Sequence, residues 1–135
     1  MSDSNVRQIV YTSKVHADFQ MPELGAILFD ARFFNRRNEV TGLLLFDGKG
    51  FIQALEGEWR AVGDTFSRIA KDSRHRSIVK LCDRATALRE FGNWDMATKV
   101  RDAGDYSKSV LGLVYRVTDP EIKLAFERFA GEIID

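Results

Sequence analysis

The chain is poor in cysteine, carries no net charge and has no long apolar run. Cys82 is the only cysteine among 135 residues, so no internal disulfide can form and the apolar core must hold the fold. Twenty basic and twenty acidic residues cancel, which removes any bulk attraction to nucleic acid or to an anionic membrane. No apolar stretch approaches the roughly 20 residues that span a bilayer, and the amino terminus does not resemble a secretory signal. These absences predict a single soluble, cytoplasmic domain.

What is present is an alternation of strand-like and helix-like segments. Alternating apolar residues indicate strands, two apolar runs around residues 47–50 indicate a hairpin, and apolar spacings of three and four indicate helices. The predicted elements are a strand at 6–13, a helix from Pro22 to about Asn35, the hairpin, a helix at 58–71, a strand at about 78–88 and a short strand at 94–100. This order predicts an α+β, ferredoxin-like sandwich with about five strands in a mixed sheet and two helices on one face.

Residues 101–135 predict a C-terminal helical cap. Thr118 or Asp119 can cap a helix whose first residue is Pro120. Its broad apolar stripe consists of Ile122, Ala125, Phe126, Phe129 and Ile133. We expect this stripe to cover the otherwise bare face of the sheet or to pair with another subunit. The chain then divides into a core at 1–100 and a cap at 101–135, within one compact domain.

One residue of the predicted third strand breaks the apolar pattern. Strand alternation places Phe51, Gln53 and Leu55 on the same face, so a carboxamide lies between two core residues. Burying an amide without partners costs about 1–3 kcal/mol. Gln53 therefore needs a partner, for which Tyr11, a backbone group and a bound polar ligand are the candidates.

Four sequence words, in this order and spacing, carry a resemblance to a known family. They are YTS in the first strand, NEVTGLLLFDGKGFIQALEGE across the hairpin, RIAKDSRH at the end of the second helix, and REFGNWDM after the fourth strand. Together they cover about residues 6–100, and they resemble the BLUF family of flavin-using blue-light sensors. Within the family, the chain resembles the short members that consist of a single domain.

The resemblance implies photoactive roles for several residues. Tyr11 matches the tyrosine that donates an electron and a proton to the excited flavin, and Gln53 matches the glutamine between that tyrosine and the flavin ring. Ser13 matches a serine near this pair, and Trp94 and Met96 match residues that compete for a place beside the glutamine. Gln53 is expected to rotate or to change tautomer, which produces a reversible red-shifted state.

The resemblance also implies a set of cofactor contacts. Asn35 matches the asparagine that hydrogen-bonds the polar edge of the ring, and Phe34 before it offers stacking. Arg68 and Asp72 share a predicted helix face and match contacts to the ribityl and phosphate side. The remaining expected contacts are Tyr11 and Gln53 at the ring, Ile27, Phe51 and Ile69 as walls, and Arg74 and His75 at the outer end. FAD is the usual cofactor, with FMN and riboflavin as alternatives, and no metal is expected.

The implied activity is sensing rather than catalysis. We expect the signal to pass to a separate protein, such as a response regulator, a cyclic-dinucleotide enzyme or a transcription factor. The expected assembly is a homo-oligomer, at least a dimer, without nucleic acid or membrane partners.

Other functions on a similar sheet are weighed against this interpretation. A hydrolase of the acylphosphatase type needs a glycine-containing, arginine-bearing phosphate loop, which residues 14–20 do not offer. An RNA-recognition module needs interleaved basic and aromatic residues on the central strands, and the lack of this pattern together with the neutral net charge argues against RNA binding. A protein-interaction module that has lost its flavin is a further alternative. Taken singly, Tyr11, Trp94 and Met96 also suit an ordinary core, and Arg68 with Asp72 an ordinary surface ion pair.

Overall fold

The computed structural model describes residues 5–92, 97–100, 112 and 114–131. The elements are β1 (Val6–Lys14), α1 (Met21–Asn38), β2 (Thr41–Phe46), β3 (Gly50–Gly57), α2 (Trp59–Ala70), β4 (Arg76–Thr86), β5 (Ala97–Val100) and α3 (Pro120–Phe129). None of the described helices combines the length and the apolar character that crossing a bilayer requires.

The strands form one sheet in the order β4-β1-β3-β2-β5. The first four pair antiparallel, with β1 and β3 at the centre, and the short β5 adds to β2 in parallel. This is the sheet order of two interleaved strand–helix–strand units, in which each helix connects two parallel strands that flank a third. The predicted α+β, ferredoxin-like architecture is confirmed.

Local chemistry sets the ends of the helices. Glu58 precedes α2, and its carboxylate accepts the backbone N–H groups of Arg60 and Ala61 at 3.0 and 3.1 Å. Asp119, rather than Thr118, caps α3 by accepting from Glu121 at 2.8 Å. Both caps pair backbone donors that the helix itself cannot satisfy.

The first helix runs three residues further than predicted. The sequence pattern suggested an end at Asn35, whereas α1 continues to Asn38 and stops at Glu39, whose φ of 56° is left-handed. The physical reason is that the chain can reverse only after the left-handed residue, where the Val40 N–H returns to the Asn35 carbonyl at 2.9 Å. Asn35 therefore lies within the last turn of α1.

The hairpin turn at 47–50 depends on one carboxylate and two glycines. Asp47 accepts the N–H groups of Lys49 and Gly50, each at 2.9 Å, and Gly48 has a φ of 95°. A Cβ at Gly50 would lie 2.3 Å from the Ser13 carbonyl oxygen, so β1 and β3 can approach here only because the position is glycine.

Each face of the sheet carries its own apolar core. On the α1–α2 face, the sheet and the two helices bury Ile9, Tyr11, Leu24, Ile27, Val40, Leu44, Phe46, Phe51, Leu55 and Val62. On the α3 face, the sheet and the C-terminal helix bury Val10, Leu43, Leu45, Ile52, Ala54, Phe91, Val114, Val117, Ile122, Phe126 and Ala130. Covering the sheet, one of the two expectations for this apolar stripe, is observed for Ile122, Ala125, Phe126 and Phe129, and Ile133 lies outside the described residues.

Candidate functional site: a cavity between α1, α2 and the sheet

A cavity of about 280 Å³ opens between α1, α2 and the middle of the sheet. Its lining combines apolar side chains, two amides and several charged groups. The lining residues are Ile27, Asp30, Ala31, Phe34, Asn35, Gln53, Arg68, Ile69, Lys71, Asp72, Arg74 and His75. Small-molecule sites usually combine apolar walls with a few placed polar groups, and this cavity adds several charged side chains to that pattern.

The central strands place a tyrosine and a glutamine side by side beneath this cavity, and only the glutamine borders it. Tyr11 on β1 lies directly opposite Gln53 on β3, and its hydroxyl donates a hydrogen bond to the Gln53 side-chain oxygen. Tyr11 is fully buried, and burial raises the pKa of its phenol further above the ordinary value. The phenol therefore keeps its proton at neutral pH, and Gln53 lies between it and the cavity.

Two amides mark the buried end of the cavity. Asn35 is 1% exposed and Gln53 is 3% exposed, and both border the open volume. Asn35 comes from the last turn of α1 and Gln53 from the middle of β3, so the two groups converge from different layers of the fold. A carboxamide both donates and accepts, which suits a ligand whose rim carries carbonyl and N–H groups.

The mouth of the cavity is charged. Arg74 pairs with Asp72 through its Nε at 2.9 and 3.0 Å and also reaches Asp30 on α1 at 3.1 Å. The side chains of Asp30 and Arg74 are 50% and 27% exposed, so this group lies at the solvent end. The Arg74 contacts hold the pKa of the Asp72 carboxyl below its ordinary value. The resulting bridge ties α1 to the segment that follows α2.

The predicted sharing of a helix face by Arg68 and Asp72 is wrong. The helix ends at Ala70, and Asp72 lies in the following turn, where its carboxylate accepts the Arg74 N–H at 2.9 Å. That hydrogen bond turns the Asp72 side chain toward Arg74, so it does not lie beside Arg68 on the helix face. Arg68 places its guanidinium carbon 4.2 Å from the centre of the Phe34 ring, a cation–π contact across the two helices.

A histidine and a serine lie next to the tyrosine–glutamine pair. The Ser13 hydroxyl is 2.9 Å from His75 Nδ1, and both residues are buried. Burial lowers the pKa of His75, and Arg74 lowers it further, while Asp72 opposes both effects. His75 therefore favours the neutral imidazole at pH 7.

Two expected ligand contacts do not border the cavity. Tyr11 lies beside Gln53 on the neighbouring strand, and of the two only the glutamine reaches the open volume. Gln53 therefore separates Tyr11 from the cavity. Phe51 was expected as a wall, yet it is fully buried and packs against Phe46 and His75, with ring centres 4.9 and 5.2 Å apart. The aromatic cluster at that end of the sheet accounts for its position.

The sequence interpretation missed three lining residues, Asp30, Ala31 and Lys71. Asp30 and Ala31 follow Ile27 by three and four residues and precede Phe34 by similar spacings, so helical periodicity could have found them. Lys71 follows the end of α2 and has no comparable signal. Trp94 and Met96, expected beside Gln53, lie outside the described residues.

Comparison with known proteins identifies a family and several relatives. The family model described as "BLUF: Sensors of blue-light using FAD" matches residues 6–97. The chain is 37% identical over 89 residues to the blue light- and temperature-regulated antirepressor BluF of Escherichia coli (strain K12), covering 65% of this chain and 22% of that protein. It is 25% identical over 116 residues to photoactivated adenylate cyclase subunit beta of Euglena gracilis, covering 84% and 14%. The chain thus spans less than a quarter of the length of either relative.

A solved structure extends the similarity beyond the matched segment. Klebsiella pneumoniae BlrP1 with FMN and cyclic diGMP superimposes with a TM-score of 0.78 at 30% sequence identity. The superposition covers 94% of this chain and 35% of the BlrP1 chain.

Proposed function

The chain belongs to the BLUF family, the sensors of blue light using FAD, and from that premise we propose that Tyr11 and Gln53 form its light-sensitive hydrogen bond. One observation carries this proposal. The fully buried phenol of Tyr11 donates to Gln53, which itself borders the cavity between α1, α2 and the sheet.

The residues that line the cavity fit a flavin. A flavin ring has large apolar faces and a rim of carbonyl and N–H groups, and the cavity offers Ile27, Ala31 and Ile69 as walls with two amides at its buried end. Its volume of about 280 Å³ lies just below the range of about 300–1,000 Å³ that is usual for small-molecule sites. The ring would occupy the space between the helices, held by Asn35 and Gln53.

The charged mouth suits the polar chain of such a cofactor. Arg68, Asp72 and Arg74 border the cavity at or near its solvent end, where guanidinium groups can bind phosphate and carboxylates can accept from hydroxyl groups. Lys71 adds a further positive charge there. His75, expected at that outer end, is instead buried beside Ser13 and Phe51. FAD is the ligand we propose, and FMN and riboflavin use the same ring contacts with fewer contacts at the mouth.

The switch itself belongs to the protein. A bound flavin supplies absorption of blue light and an excited state able to draw an electron and a proton from a nearby phenol. Tyr11 holds its proton in the dark because burial keeps the phenol neutral, and it directs that proton at Gln53. Gln53 then either turns its amide, so that its NH₂ group faces Tyr11, or changes tautomer. Either change reverses the direction of the Tyr11–Gln53 hydrogen bond.

The output is a conformational signal and not turnover of a substrate. The antirepressor and cyclase relatives attach a light-sensing unit to different activities. By analogy, the rearrangement at Gln53 biases a structural element that a partner protein recognises. We propose a separate signalling protein as that partner.

The deciding experiment is a visible absorption spectrum of the purified chain, with and without added FAD, recorded in darkness and after blue illumination. The expected result is a flavin spectrum that moves reversibly to longer wavelength. Bovine serum albumin mixed with FAD is the control for free flavin, whose spectrum should not shift. A colourless protein that takes up no FAD would contradict the proposal and favour an interaction module.

A further inference from the structure

The two central strands carry a second polar pair, on the face opposite the cavity. Gln8 lies directly across from Glu56, as Tyr11 lies across from Gln53, in the same antiparallel register. The two pairs are three residues apart on each strand, and an odd spacing places them on opposite faces of the sheet. Both pairs are joined by a side-chain hydrogen bond, which is 2.9 Å long between Gln8 and Glu56.

Glu56 holds the segment that follows β4. Its carboxylate, which is fully buried, accepts the backbone N–H of Glu90 at 2.9 and 3.0 Å and that of Phe91 at 2.9 Å. Phe91 in turn packs against Phe126 of α3, with ring centres 4.9 Å apart. One side chain of β3 thus fixes both the course of this segment and its apolar contact with the C-terminal helix.

Glu90 extends the contacts to the start of α3. The Gln8 amide donates to it at 3.2 Å, and the Thr118 hydroxyl donates to its other oxygen at 2.8 Å. Thr118 directly precedes Asp119, the residue that caps α3. The contacts therefore run from the central strands through the buried side chains of Gln8, Glu56 and Glu90 to Thr118 at the surface, next to the helix terminus.

Arg84 closes the cluster. Its guanidinium donates to the Gln8 side-chain oxygen at 3.0 Å and to Asp119 at 2.5 Å, and it lies 3.8 Å from Glu90.

Burial raises the pKa of the Glu56 carboxyl, whereas the hydrogen bonds that this carboxyl accepts lower it. Buried polar groups are costly unless they are paired, and each residue of this cluster has at least one partner within it, so the cluster ties the central strands to the start of α3.

We propose that Glu56 and Glu90 are positioning residues that couple the Tyr11–Gln53 switch to the N-terminus of α3. The proposal rests on the proposed light-sensing function. A rearrangement at Gln53 changes the fit of β3 against β1, and the Gln8–Glu56 pair on the same two strands transfers that change to the other face. Glu90 and Thr118 then pass it to the cap of α3, which makes this helix the element that responds to light.

The test measures hydrogen–deuterium exchange of α3 in darkness and under blue light, together with the visible spectrum, in the FAD-loaded chain. The wild type should show the spectral shift and a light-dependent change in exchange over α3. Glu56→Gln and Glu90→Gln keep the side-chain shape, so they should keep the shift and lose the light-dependent change. Glu121→Gln, an exposed residue of α3 outside the cluster, is the matched control and should behave as the wild type.

Thr118→Val provides a milder variant if the glutamine variants do not fold. It removes only the hydroxyl that donates to Glu90, and the light-dependent change in α3 should be smaller than in the wild type. A normal spectral shift with an undiminished change in α3 in these variants overturns the coupling. A wild type that shifts its spectrum without any change in α3 also overturns it and leaves the proposed function intact. A wild type without a spectral shift removes both proposals.

Discussion

The two faces of the sheet use polar side chains from the same two strands in opposite ways. On the α1–α2 face, the Tyr11–Gln53 pair borders an open cavity, so one side of the glutamine amide faces space that a ligand can fill. On the α3 face, the Gln8–Glu56 pair is enclosed by backbone donors, Arg84 and an apolar core that includes the buried face of α3. A buried pair beside a cavity has room to rearrange, whereas a fully enclosed pair makes the structure around it rigid.

The largest expected effect is on the cavity face. Tyr11→Phe keeps the ring packing against Phe66 but removes the hydroxyl, so flavin should bind and the light-induced spectral shift should disappear. Visible difference spectroscopy measures the effect. Tyr115→Phe is the control, because Tyr115 is 62% exposed and should keep the full shift. A normal shift in Tyr11→Phe would exclude this tyrosine from the switch.

A matched pair of substitutions tests the contrast directly. Gln53→Leu and Gln8→Leu make the same change on neighbouring central strands, one on each face. Gln53→Leu should bind flavin and lose the shift and its infrared carbonyl changes, because leucine has no amide to rearrange. Gln8→Leu should keep the shift. If both variants keep it, or both lose it, the assignment of the switch to one face fails.

The α3 face should dominate stability. Glu56→Ala leaves the donors of Gln8, Glu90 and Phe91 without their acceptor, so the free energy of unfolding should fall by about 3–5 kcal/mol. Urea denaturation monitored by circular dichroism measures the change. Glu121→Ala on the exposed side of α3 should change it by less than about 0.5 kcal/mol. If Glu56→Ala lowers the free energy of unfolding as little as this control does, the carboxylate does not hold the segment that follows β4.

The smallest expected effect concerns the pH dependence of stability near His75. Burial lowers the pKa of His75 in the folded state below the ordinary 6.5, with Asp72 and Arg74 as the charged groups that face it. Between these two pKa values the unfolded chain binds the proton and the folded chain does not, so stability falls as the pH drops below 6.5. His75→Gln should flatten this part of the profile of melting temperature against pH. An unchanged slope between pH 7.5 and 5.5 would contradict the lowered pKa.

The features that could be predicted from the sequence are those that depend on local periodicity and on turn residues. Alternation in β3 correctly assigned Phe51 and Leu55 to the same core, and the turn residues at 47–50 correctly gave the hairpin. The cost of burying an amide predicted that Gln53 needs a partner, and Tyr11, one of the three candidates, is an observed one. The family resemblance then placed Asn35, Arg68 and Ile69 near the same cavity, where the structure has them.

The errors arose where a residue's position depends on a partner elsewhere. Asp72 continues the helical spacing of Arg68, yet its pairing with Arg74 takes it out of the helix. Phe51 shares its strand face with Gln53, yet the neighbouring aromatic rings take it away from the cavity. Spacing along one element gives the direction of a side chain, and it does not give the surface that the side chain meets.

The sequence by itself determined the order of elements, the two faces of each central strand, and the family to which the chain belongs. These properties depend on residues within a few positions of one another, because strand and helix periods are set by backbone geometry. Only the tertiary structure decided that Arg74 joins α1 to the segment that follows α2 and that Gln8, Glu56, Glu90 and Thr118 form one polar cluster. Those contacts join residues that are far apart in the chain, and packing of the sheet between two helical layers brings them together.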